Sequence, residues 1–159
     1  MMRRSALLSL AVLTVVGLGG QRQGEVIYET TFEEPAVLSG WSSAPTLDAG
    51  HGSARAAVIE RKDAGGPSAM IARELPARRL RGCVITLSAW VKAENVSEKP
   101  HSWNGIKFMV PIEAPSGKQW PQARIGTGTF DWMPVRFAVR VPKDAEKVML
   151  MLGLEAVTG

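Results

Sequence analysis

Between Cys83 and Ala93 the chain alternates with a period of two. Cys83, Ile85, Leu87, Ala89, Val91 and Ala93 form one small or apolar stripe, and Val84, Thr86, Ser88, Trp90 and Lys92 form the other. Strand residues two positions apart share a face, so the first stripe covers a core and Trp90 falls between Ser88 and Lys92 on the polar side. A tryptophan in that place is an aromatic platform that a sheet can offer to a ligand. The same period recurs further on. Val135, Phe137, Val139 and Val141 oppose Arg136, Ala138 and Arg140, and Val148, Leu150, Leu152 and Leu154 oppose Met149, Met151, Gly153 and Glu155. Met149 and Met151 make the last of these strands apolar on both faces, which predicts a central strand covered on each side. With Gly and Pro as punctuation, strands are predicted over residues 26–32, 53–59, 69–75, 84–93, 105–112, 122–127, 133–141 and 147–154. This part of the chain shows no amphipathic helix, internal repeat or second domain. The pattern predicts an all-β chain, a jelly-roll β-sandwich of about eight antiparallel strands.

The first twenty residues follow another rule. Arg3 and Arg4 precede an apolar run from Ala6 to Leu18, broken by Ser9, Thr14 and Gly17 and followed by Gly19 and Gly20. A basic start, a short apolar run and small residues predict a secretory signal peptide, a helix over residues 1–19 cleaved after Gly19. The alternative, an uncleaved anchor, asks for an apolar run of about 20 residues. No cysteine follows the cleavage site, so a lipoprotein anchor is not expected. The remaining chain, about 140 of the 159 residues, suffices for one domain over residues 25–159.

Charge changes the picture little. Losing Arg3 and Arg4 takes two from the formal net charge of +4. The densest basic cluster, Arg73, Arg78, Arg79 and Arg81, is interrupted by Glu74, Leu75 and Pro76, too thin for a nucleic-acid surface. Cys83 is the single cysteine, so no internal disulfide is available, and its place on the apolar stripe reads as a small buried hydrophobe. Other chemistry is poorly supplied. Glu33, Glu34, Asp63, Glu94, Glu98, Asp144 and Glu146 are scattered through turns, whereas a glycosidase needs two carboxylates about 5–10 Å apart across a cleft. His51 and His101 have no Gly-x-Ser-x-Gly elbow to serve and no zinc spacing. These residues point away from an enzyme.

A succession of landmarks remains: Phe32-Glu33, Gly40-Trp41, His51-Gly52-Ser53-Ala54-Arg55, Leu87-Ser88-Ala89-Trp90-Val91-Lys92-Ala93, Gly128-Thr129-Phe130-Asp131-Trp132 and the strand from Val148 to Leu154. In this order and spacing the chain, over most of residues 26–159, resembles the CenC-like carbohydrate-binding modules, galactose-binding-like jelly rolls usually attached to secreted bacterial glycoside hydrolases. The resemblance implies a non-catalytic exported module, extracellular, periplasmic or held at the surface of a bacterium, and fused in the full-length protein to a catalytic or anchoring domain. The family ends on a further strand with a paired-acid motif. Here Ala156-Val157-Thr158-Gly159 stands where that strand would begin, which implies a domain without its C-terminal strand and an exposed edge beside its first strand. It further implies a structural calcium, with Glu33 and backbone carbonyls near Gly52 among its ligands. Glu34 and Asp48 are the available substitutes for the acid of the absent strand. Trp41 and Trp132 match positions that pack as corner plugs.

A polysaccharide site needs flat rings to lie against pyranose faces and polar groups to meet hydroxyls. Trp90, Trp103 and Trp120 are the candidate platform for a β-glucan or xylan-like chain. Trp103 lies in His101-Ser102-Trp103-Asn104 and Trp120 in Lys118-Gln119-Trp120-Pro121-Gln122, both expected at a rim. Asn104, Lys107, Gln119, Gln122 and Arg124 are the candidate polar partners. Two rival readings stand beside this one. The first is a structural or interaction domain of a cell-envelope protein with no glycan site, and the second is the leading piece of a glycoside hydrolase.

Overall fold

The computed structural model describes residues 9–19, 22–33 and 39–159, with side chains from Glu25 onward. Arg3, Arg4 and Glu34 lie outside the described residues. The chain is all-β, and every strand pair is antiparallel. In order the strands are β1 (Ser9–Gly19), β2 (Arg22–Thr30), β3 (Thr46–Asp48), β4 (Ala56–Val58), β5 (Ala69–Leu75), β6 (Val84–Val96), β7 (Gly105–Met109), β8 (Ile112–Ala114), β9 (Gly117–Gln119), β10 (Gly128–Arg140) and β11 (Lys147–Glu155). A short helical turn, α1 (Ala77–Leu80), follows β5.

One sheet runs β10-β6-β1-β4-β3, with β2 also paired to β1; the other runs β5-β11-β8-β9, with β7 beside β11. The alternation in β6 is realised: Ile85, Leu87, Ala89, Val91 and Ala93 are buried, and Thr86, Ser88, Trp90 and Lys92 are half-buried. On β11, Val148, Leu150, Leu152 and Leu154 join the β6 residues in one core. Strand β11 is central, as Met149 and Met151 suggested, between β5 on one side and β7 with β8 on the other.

Four differences from the sequence reading have local causes. The run expected as a signal-peptide helix is the strand β1, paired with β6 and β2. Val12, Val15, Val16 and Thr14 are β-branched, and an apolar run of this length suits either state until a sheet offers it ladder bonds. The strand expected at 122–127 is not regular. It keeps one bridge, Gln122 to Met109, and bonds from Ala123 N to Phe108 O and from Val110 N to Pro121 O, both 2.9 Å. Residues 121–125 therefore form an irregular strip along β7. The expected 105–112 strand splits into β7 and β8 around the Pro111 bend, since proline brings no N–H to a ladder. Cys83 is half-buried rather than buried, with Sγ 3.7 Å from Arg79 O, because it precedes β6 at the exit from α1.

Past β11 the chain turns through Ala156, at φ 56°, and enters the line of β1. Ser97 N donates to Thr158 O at 2.9 Å, and Arg61 and Gly159 exchange two N–H···O bonds of 2.8 Å, the signature of an antiparallel pair. Arg61 follows Ala57, the β4 partner of Leu10, and Ser97 follows Lys92, the β6 partner of Ser9. Thr158 and Gly159 thus lie ahead of Ser9 in one lane, running its way. Arg61 itself is buried and has no carboxylate partner among the described residues. Its guanidinium donates to the carbonyls of Pro67 and Val157 at 2.9 Å, Ala64 at 2.8 Å, and Gly66.

Candidate functional site

The candidate site grows from a buried cation. On β7, Ile106 and Phe108 face the core, so Lys107 between them faces outward, yet it is 3% exposed. Opposite it on β11 is Gly153, where any side chain would collide with the Ala69 carbonyl and Met70 of β5. A buried ammonium needs an acceptor for each of its three N–H groups. Lys107 Nζ finds Glu155 Oε2 at 2.7 Å, Gln122 Oε1 at 3.0 Å and the carbonyl of Trp103. All three of its donors are engaged, so Lys107 positions the site and does not face a ligand as expected.

The same set of bonds orders the rim. Asn104 N donates to His101 O at 3.0 Å, closing the turn before β7. Gln122 Nε2 reaches the Trp103 carbonyl at 3.4 Å, and Asn104 Nδ2 donates to Glu155 Oε2 at 3.0 Å. Burial opposes ionisation of Glu155 most strongly, but the hydrogen bonds from Lys107 and Asn104, with the Lys107 charge, outweigh it and hold the carboxyl below its ordinary value. Asn104 Oδ1 is buried without a partner, an acceptor that gains from any donor brought to it. Fixed by its backbone, Trp103 is 58% exposed, and its ring lies on His101 at 4.6 Å and 11° between planes. Beside it opens a cleft of about 430 Å³ lined by Lys99, Ser102, Trp103, Asn104, Gln122 and Arg124 over an apolar floor of Ile106 and Ile125.

Four of the expected residues therefore meet: Trp103, Asn104, Gln122 and Arg124 line the cleft, with Lys107 beneath them. Trp120 is 62% exposed but does not line it, and neither does Gln119 on β9. Trp90 stands elsewhere. It is on the outer face of β6, in the other sheet, with the His51 ring 4.2 Å from its own, and the Trp132 ring lies 5.6 Å from that of His51. The three tryptophans do not share a face. Trp41 is buried in the core against Phe32 and Tyr28. Sequence reasoning missed Glu155, Lys99 and His101 as partners of the site. Only the spacing of His101 and Trp103 across a turn hinted at their stacking.

Glu33 Oε1 accepts from Ala54 N at 2.7 Å, so the carboxylate does reach the turn containing Gly52. That oxygen is then committed to the backbone. Among the described residues no group of three or more His, Cys, Asp or Glu side chains could hold a metal, whereas calcium takes six to eight oxygens. Through its bond to Ala54 N, Glu33 caps residues 52–54.

No protein-family profile and no characterised protein matches this sequence.

Proposed function

We propose that this chain is a non-catalytic, exported carbohydrate-binding module, a jelly roll of the CenC-like kind, that binds polysaccharide at the Trp103 cleft and holds an attached hydrolase near its substrate. The observation that carries the reading is Trp103 itself. A flat ring, exposed, backed by His101 and fixed by its own carbonyl, stands over a cleft bordered by the amides of Asn104 and Gln122. Rings so placed stack on pyranose faces with little ordering cost, while amides meet hydroxyls as donor and acceptor. Export is carried by the resemblance alone, because the apolar run that follows Arg3 and Arg4 serves in this fold as strand β1. Tethering would raise the effective concentration of enzyme on polymer.

One observation favours the rival, a structural or interaction domain of a cell-envelope protein: the His51, Trp90 and Trp132 cluster occupies the other sheet. Affinity electrophoresis through xylan, β-1,3-glucan, mannan and cellulose derivatives separates the two. Retardation that Trp103→Ala abolishes and Trp90→Ala leaves intact supports the cleft. Free migration of the folded chain through every polymer favours the rival.

A further inference from the structure

The charge around the cleft is lopsided. Lys99 and Arg124 line it, and no carboxylate does. On the other side of the 121–125 strip lies a second depression of about 380 Å³, which shares Gln122, Ala123 and Arg124 with the first and adds Arg136 from β10, again without an acid. Arg124 and Arg136 have no ion-pair partner among the described residues, and Lys99 donates only to Ser102 O at 3.4 Å. Glu155, the nearest negative group in the hydrogen-bond set, is held by Lys107 and Asn104. The two depressions meet at Gln122, Ala123 and Arg124, and together they carry three cations and two amides.

We propose that the glycan taken here is acidic, a polysaccharide carrying uronic-acid carboxylates. The inference rests on the proposed carbohydrate site and names its substrate class. Trp103 takes the face of one sugar ring, and the Arg124 guanidinium takes a neighbouring carboxylate in the two-pronged geometry that suits it. Arg136 and Lys99 extend the positive charge into either depression. A neutral glucan would leave these cations without compensation and gain only the stacking.

Titration calorimetry on the whole chain tests this with glucuronoxylan, with the same polymer after reduction of its carboxyl groups, and with dextran sulfate. Carboxyl reduction is expected to weaken binding about tenfold or more. Raising NaCl from about 50 to about 300 mM weakens binding of the acidic polymer several-fold and of the reduced polymer little. Arg124→Gln, at an exposed position and checked for fold by circular dichroism, removes most of the difference between the two polymers. Equal affinity for native and reduced polymer overturns the acidic specificity and leaves the glycan site standing. Binding of neither overturns both. Dextran sulfate bound as tightly as glucuronoxylan, and unaffected by Trp103→Ala, would reduce the site to a nonspecific polyanion surface and also overturn the proposal.

Discussion

Lys107 and Glu155 show how one buried cation organises a rim. Removing the ammonium would strand the Trp103 carbonyl, the Gln122 amide and a carboxylate together, so the pair matters more for the shape of the cleft than for its net charge. The low Glu155 pKa gives this a pH signature. A carboxyl depressed in the folded state stabilises above its unfolded value, 4.5, and that contribution is lost as pH falls through the lower folded value. Glu155→Gln is therefore expected to cost about 1 kcal/mol near neutrality, a modest figure because the carboxylate is one-third exposed. It should also flatten the acid limb of stability below about pH 4.5. Urea denaturation of both proteins between pH 3 and 7 measures this, and parallel acid limbs would exclude Glu155 as its source. None of this was legible in the sequence. Lys107 reads there as a polar partner for a glycan, and only the fold brings Glu155 to it.

The elements were more legible, for reasons that can be named. Strand β5 has the bounds its flanking turns suggested, β6 and β11 extend theirs by one to three residues, and β10 begins five residues early and ends one short, because a strict period of two is costly to misread: a one-residue slip would turn every core side chain outward. The three-residue strands β3 and β9 carry no such period and were missed. Helix α1 is too short for a helical pattern. The apolar run at Ser9–Gly19 was ambiguous in kind, since periodicity does not separate a helix from a fully apolar strand. Where the alternation is clean, its cost should be measurable. Leu152, central on β11 and 1% exposed, is expected to lose about 2–5 kcal/mol as Leu152→Ala. A loss below about 1 kcal/mol in thermal or urea unfolding would mean that the two sheets do not share the core described.

Across the whole molecule, the resemblance in the sequence anticipated one binding face with three tryptophans, while the fold divides them between two sheets. Strand period tells which side of its own sheet a residue takes, not which sheet, and this is where sequence reasoning stopped. The lane shared by β1 and Gly159 carries a different consequence. Because Gly159 lies ahead of Ser9 in that lane and runs the same way, the two positions are separated by only a few residues' length of strand. The fold is thus nearly a closed ring, and its linear order is interchangeable. A permuted gene that joins Gly159 to Ser9 through about three residues, and opens instead at the exposed Ser116–Gly117 turn, is expected to give a folded protein with the same near-ultraviolet spectrum. An unfolded permutant would show that the two segments do not share that lane in solution.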